Sequence, residues 1–425
     1  MRQSAWTFVF AVLVLGCMTA GNARADWPQW RGPDGTGTAA QATPPSTLNP
    51  DTGENIRWTT DLPGDSAATP IVVADRVFTP AVNDNNRILA MGLDATTGEV
   101  LWSDDVAEGR QSRQRSRENN HAEVSPVADE EHVYFLFGTG DLIAYDHDGE
   151  RQWHVNIVEA YGSIEILWGY GSSPLLLDGK LYIQVLRRDP ASLLICVDAD
   201  SGEILFTHER PSNARDESLE AYTTPIACNI DGQTQVVVYG GDALTGHDPA
   251  TGDELWRFTE GLNPENHGMY RCISGPTQGL NGLIYLTTPR GHDLFAIEVT
   301  DNTPSLMWMR EDVDADVPCP VYYDGGLFVF SGAKKRIYKL NADTGELVWE
   351  QRLDTSGYFR CTPTVAGGNV HVITADGELF ILSAGDEFEQ KSHVDLGGYP
   401  ARASVAAAGN ALYIRTGDRM ICIAE

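Results

Sequence analysis

Residues 92–102 read GLDATTGEVLW, and the chain repeats this pattern. Good copies end at Phe206 (DADSGEILF), Trp256 (DPATGDELW) and Trp349 (NADTGELVW); weaker ones end at Trp153 (YDHDGERQW) and Trp308 (EVTDNTPSLMW). The closing aromatics at 102, 153, 206, 256, 308 and 349 lie 41 to 53 residues apart. That spacing holds about four short strands, the content of one propeller blade. The turn glycine supplies a positive φ, and the Asp or Thr before it can bond the turn backbone. The tryptophan offers a large apolar body to wedge between neighbouring blades.

Each unit enters its first strand through a short proline signal: Thr69-Pro70, Ser125-Pro126, Ser173-Pro174, Thr224-Pro225, Gly275-Pro276, Cys319-Pro320 and Thr362-Pro363. An eighth unit starts near Ser404 and stops at Glu425 after its third strand. The missing turn and aromatic stand at the other end of the chain, in Asp51–Trp58 (DTGENIRW). The reading is an all-β, eight-bladed propeller of four-stranded antiparallel blades. Its ring closes when Ile56–Thr60 pairs beside Met420–Ala424, which removes the exposed edges. Seven blades is the minor alternative, because the fourth strand of the seventh unit (GDEFEQKSH) has no tryptophan. Trp58, Trp102, Trp153, Phe206, Trp256, Trp308 and Trp349 are the expected blade-closing residues. On this topology, loss of the residues before about 50 is tolerated and loss of Asn55–Asp61 is not.

The net charge of −30 argues against a nucleic-acid or anionic-membrane partner. Arg2, the apolar run Trp6–Leu15 and Ala23-Arg24-Ala25 read as a secretory signal cleaved after Ala25. A weaker lipoprotein box, Val14-Leu15-Gly16-Cys17, would instead leave a lipid anchor at Cys17. No other stretch is long and apolar enough to span a bilayer. The chain therefore divides into a signal peptide (1–25), a Trp/Pro/Gly-rich leader (26–50) and one propeller domain (51–425), expected as a periplasmic or secreted monomer. The six later cysteines, from Cys196 to Cys422, are too scattered for a zinc site or a redox pair.

The Asp-Ala-x-Thr-Gly-x-x-x-Trp repeat resembles that of the PQQ repeat-like β-propellers. That group includes quinoprotein alcohol dehydrogenases and the propeller lipoprotein of the outer-membrane β-barrel assembly machinery. The leader DWPQWRGP (26–33) also looks like the start of exported bacterial propellers of this type. A dehydrogenase of the group implies PQQ, calcium, a carboxylate base and commonly an adjacent cysteine pair. This chain has no such pair, and its units are compact. The resemblance is specific for fold and weak for function.

No Gly-x-Ser-x-Gly or phosphate-cradling motif occurs. Loops entering the inner strands place polar and aromatic groups around one axis: Asn119, Asn120, His121 and Glu123; Trp168 and Tyr170; Tyr222; Tyr270 and Arg271; Tyr358 and Arg360; and Arg402. Such a mouth can hold a polar small molecule, a sugar or a peptide end, with Arg271, Arg360 and Arg402 meeting an anion. The same residues can equally pack around a wet channel. His121 and Glu123 have the i, i+2 spacing of a general base or metal pair, without a third ligand. Arg110, Arg113, Arg115 and Arg117 form a basic loop that either docks an acidic partner or is simply solvated. The leading expectation is a non-catalytic binding or scaffold module with no cofactor and no metal, engaging a protein partner or small polar ligand at the mouth. The alternatives are a PQQ-dependent dehydrogenase of alcohols or aldose sugars, and a carbohydrate- or peptide-binding protein.

Overall fold

A computed structural model describes residues 26–109, 119–164, 166–313, 315–398 and 400–425. The signal segment, Cys17 and the Arg110–Arg117 loop lie outside the described residues. Eight antiparallel sheets surround one axis, and the only α-helix among the described residues is the five-residue Ile157–Tyr161. Blade 3 shows the common plan: Leu175–Leu177 innermost, then Lys180–Val185, Leu193–Asp198 and, outermost, Ile204–Glu209. The middle strands are buried on both faces. Outer strands alternate, as in Thr303–Arg310, because one face meets the next blade and the other meets water.

Ring closure follows the expected register. Trp58 pairs with Cys422, Thr59 with Ile421 and Thr60 with Met420, so Ile56–Asp61 becomes the fourth strand of blade 8. Blade 7 is complete without a closing aromatic: Gln390–Asp395 pairs with Glu378–Ser383, and Ser392 takes the tryptophan's place opposite Ile381.

All eight outer strands carry a one-residue bulge directly before the closing position. The extra residue points outward. It is apolar in five blades, and Leu101, Leu205, Leu255, Met307 and Val348 are accordingly exposed. The bulge bends the strand and turns the next side chain into the neighbouring blade. There the indole N–H of Trp58, Trp102, Trp153 and Trp308 donates to Ala95, His147, Ala199 and Ala342, at 2.8–3.1 Å. The aromatic rings lie on the turn glycines of the following blades. A Cβ on Gly98 would sit 2.5 Å from Trp58, and one on Gly252 2.3 Å from Phe206. The repeat's Gly and Trp are thus two halves of one inter-blade joint. Blade 5 has Asp301-Asn302 in place of the Thr-Gly turn, and Trp256 bonds Gln235 within its own blade instead.

The leader is not a detachable tail. Trp27 is fully buried and exchanges backbone hydrogen bonds with Val72 of blade 1, while Pro28 O accepts from Ala128 of blade 2. The chain then crosses the axis, and Thr38–Ala39 adds as a parallel strand beside Thr364–Ala366 of blade 7. These contacts lie toward the turns that end the inner strands, so the leader closes that end of the channel. These contacts run against the expectation that the residues before about 50 are dispensable.

Candidate functional site: a blind cup on the propeller axis

The proline signals build a ring. The residue before each proline, joined by Ser404 in the eighth unit, stands at the head of an inner strand, and every one but Gly275 has a side chain that accepts the backbone N–H of its counterpart in the preceding blade. Thr69 donates to Ser125, Ser125 to Ser173, and Ser173 to Thr224, at 2.9–3.1 Å. Gly275 donates to the Cys319 sulfur, Cys319 to Thr362, Thr362 to Ser404, and Ser404 back to Thr69, at 3.0–3.2 Å. Seven of eight links are therefore made. The link from Thr224 is missing because Gly275 has no side chain.

Trp30 of the leader occupies that gap. Its ring lies 3.7–3.8 Å from where a Gly275 Cβ would stand. Arg31 holds it there, donating to Pro276 O at 2.7 Å, Pro320 O at 2.8 Å and Thr36 O at 3.0 Å. Arg31 is 1% exposed, and burial lowers its pKa. Trp30 makes the channel a blind cup of about 720 Å³, walled by the ring residues and opening at the loops that enter the inner strands.

Glu123, Trp168, Tyr222, Arg271, Arg360 and Arg402 line the cup together with Asn119 and Asp316. On one side Arg402 donates to Asn119 at 2.9 Å and meets Asp65 at 3.3 Å and Glu123 at 3.6 Å. Glu123 also accepts the Asn120 N–H at 2.8 Å. Burial pushes its carboxyl up to about 7 against the opposing pull of Arg402. Across the cup, Glu217 accepts the Trp168 indole N–H at 2.8 Å and pairs with Arg271 at 3.2 Å. The Arg271 guanidinium stands 5.6 Å from the Trp168 ring centre, within cation–π range. The Tyr222 hydroxyl accepts the Trp168 N–H, and burial raises its pKa. Glu217 is positioned by a 3-10 turn (Asp216–Leu219), which is tied across to the next loop by Tyr270 N–H to Ser218 Oγ at 2.7 Å.

Five of the sequence-read mouth residues stand away from the cup, Tyr358 among them, which is exposed outside it. Asn120 bonds Asp65 O and the Ala122 N–H. His121 is buried beside Gly138. Tyr170 is buried, with its hydroxyl on Gln184 O. Tyr270 stacks between His267 and His292 on the outer rim. No three His, Cys, Asp or Glu side chains come together as a metal site among the described residues. The six cysteines among the described residues are all buried and form no disulfide. Sequence reading left Trp30 in a leader that could cap one face or pack along the outside, and it missed Asp316, which follows no repeat.

The family model for the outer membrane protein assembly factor BamB matches residues 39–167 and 296–422, more than half of the chain. The chain belongs to that family. BamB of Salmonella typhimurium is 25% identical over 169 residues, a match spanning 40% of this chain and 38% of that protein. The crystal structure of BamB from Moraxella catarrhalis superposes with a TM-score of 0.63 at 17% identity, over 87% of this chain and 99% of that one. The quinohemoprotein alcohol dehydrogenase of Comamonas testosteroni gives 0.66 at 13% identity, over 94% and 80%. A BamB-family member and a quinoprotein dehydrogenase thus share this fold about equally well, and at such identities the likeness concerns the fold alone.

Proposed function

We propose that this BamB-family chain is a non-catalytic scaffold of the periplasm, holding a protein partner in outer-membrane protein assembly through the face around the cup mouth. The observation that carries the reading is the commitment of the mouth's charges to one another. Glu123 and Asp65 both turn onto Arg402, and Glu217 onto Arg271 and Trp168. Neither set leaves a carboxylate poised as a base beside a nucleophile. The PQQ and calcium implied by the fold's other branch do not fit this donor set. A bridging cation needs converging carboxylate oxygens, and here an arginine sits between them. No catalytic step is derived through that cofactor.

Around the cup, Met269 and Tyr358 are more than half exposed on the mouth face, whereas Leu280 is exposed at the opposite end. Photo-crosslinking residues at 269 and 358 should capture outer-membrane proteins or their assembly components in intact cells, and one at 280 should not. Capture at 280 alone would refute the assignment of the face. Dye reduction by the purified protein with added PQQ, calcium and an alcohol or aldose would refute the non-catalytic reading.

A further inference from the structure

The hydroxyls of the six Ser/Thr ring members each accept an N–H from the preceding blade. Among the described residues they donate to no protein acceptor. All six are at most 6% exposed, and all line the cup. A buried hydroxyl whose lone pair is filled still carries one O–H donor, and leaving it unmatched is costly. Six such donors therefore surround one axis at the level of Trp30. The charged groups above them are already committed. Arg271 pairs with Glu217 at 3.2 Å, and Arg402 with Asp65 at 3.3 Å and Glu123 at 3.6 Å. Arg360 is engaged as well, and Asp316 accepts the Arg290 N–H at 2.7 Å. An ion entering the cup would have to break one of these pairs and strand the partner left behind, which is costly away from bulk water. An uncharged ligand leaves them intact, while a purely apolar one would strand the six O–H donors. The cup is thus built for a guest that is uncharged and rich in oxygen.

We propose that the cup is a binding site for the end of a neutral oligosaccharide chain. Ring and hydroxyl oxygens of the terminal sugar take the O–H donors of the Ser/Thr ring. Its own hydroxyl protons go to Glu123 and Asp316, the two carboxylates that line the cup, which can accept them without leaving their present partners. The apolar C–H face of the pyranose lies on the Trp30 indole. A peptide end carries a full charge and meets the cost just described; a sugar chain end carries none. The floor makes the cup blind, so a chain enters by its end and not by an internal unit. A cavity of about 720 Å³ has room for two sugar rings. A recess of about 190 Å³ between the loops of blades 6 and 7 shares Asp316, Val317 and Arg360 with the cup, and it leads further units outward past Tyr358. The site exists only because the leader supplies its floor. It is independent of the partner reading above, since it needs no second protein.

Four pairs of probes test this by calorimetry and tryptophan fluorescence on the purified full-length protein: cellobiose and cellohexaose, maltose and maltohexaose, laminaribiose and laminarihexaose, mannobiose and mannohexaose. In at least one pair both members should bind saturably, the hexamer at least as tightly as the dimer. That dimer should bind at least tenfold tighter than digalacturonate or the glucosamine dimer, its anionic and cationic counterparts. Trp30→Ala should weaken binding at least tenfold and reduce the fluorescence change. Gly171 lines the cup, and a Cβ there meets nothing within 4 Å. Gly171→Leu should therefore obstruct the cup, weakening binding at least tenfold without altering the melting curve, and it serves if Trp30→Ala does not fold. Absence of saturation by all four pairs at millimolar concentration, exclusion of the hexamers, equal binding of a charged dimer, or unchanged affinity in Gly171→Leu would overturn the proposal. None of those results would alter the crosslinking outcome at 269 and 358.

Discussion

The indole of Trp58 donates to the carbonyl of Ala95 at 3.1 Å, so a residue encoded before blade 1 fastens blade 8 onto blade 1. Trp58→Ala empties a joint that is 9% exposed and should lower stability by about 3–5 kcal/mol in urea unfolding. Trp58→Phe keeps most of the apolar body and should cost about 1 kcal/mol, the share of the hydrogen bond. Equal losses in the two variants would show that the bond, and not the packing, closes the ring.

Gly98 and Gly179 share a positive φ, +76° and +69°, but a Cβ at 98 meets Trp58 at 2.5 Å while one at 179 meets nothing within 4 Å. Gly179→Ala should cost about 1–2 kcal/mol for the left-handed backbone alone. Gly98→Ala should cost clearly more. Matching unfolding midpoints would count against the Gly–Trp joint.

These two residues also show how far the sequence carries. The joint recurs, so a turn glycine four residues before an aromatic announces blade after blade. The ring of hydroxyls was half-visible: Ser/Thr-Pro marks five of the eight units, but the acceptors lie some forty to sixty residues from their donors along the chain, and 335 in the link that closes the ring, so nothing local declares the bond. Trp30 was legible only as part of a leader that could cap one face, and its seat, the side chain that Gly275 lacks, gives no local signal. Among the mouth residues, composition picked the right loops but not the side chains within them that reach the axis: Trp168 lines the cup, whereas Tyr170, two residues on, is buried with its hydroxyl on Gln184 O.

Arg31 satisfies three carbonyls from inside the protein. Arg31→Ala strands Pro276 O and Pro320 O in a buried setting and should cost about 3 kcal/mol. Deleting residues 26–50 should cost more, measured by thermal melting against the intact chain. A deletion variant that melts at the same temperature would show that the leader lies on the propeller without supporting it.

Glu123 gives a pH signature. Its folded pKa of about 7 exceeds the ordinary value of 4.5, so between those limits the folded state binds the proton and the unfolded state releases it. Its contribution to stability is therefore greatest below about 4.5 and is lost as pH rises toward 7. Burial drives His247 and His371 the other way, down to about 4. Their contribution is present above 6.5 and is lost as pH falls to 4. Glu123→Gln should remove the first trend and leave the second. The difference in unfolding free energy between the parent and this variant should grow in the parent's favour by about 2–3 kcal/mol from pH 7 to 4.5. A difference that is flat with pH would mean that Arg402 keeps Glu123 ionised.

Thr362 accepts the Cys319 N–H at 3.2 Å. Thr362→Val preserves shape and should cost about 1–3 kcal/mol for the orphaned N–H. Thr362→Ser should cost little. The comparison is read by chemical denaturation.

The leader's route also constrains the order in which the molecule assembles. Trp27 needs blade 1, Arg31 needs blades 5 and 6, and Thr38–Ala39 needs blade 7, so the earliest described residues find their places only after nearly all the rest exists. A chain delivered from its N-terminus holds an apolar, tryptophan-bearing segment without a seat until its last blades arrive. Contacts of such long sequence separation make folding slow and leave that segment open to capture in the meantime. Refolding should therefore show a late step, reported by Trp30 fluorescence, after the blades have formed.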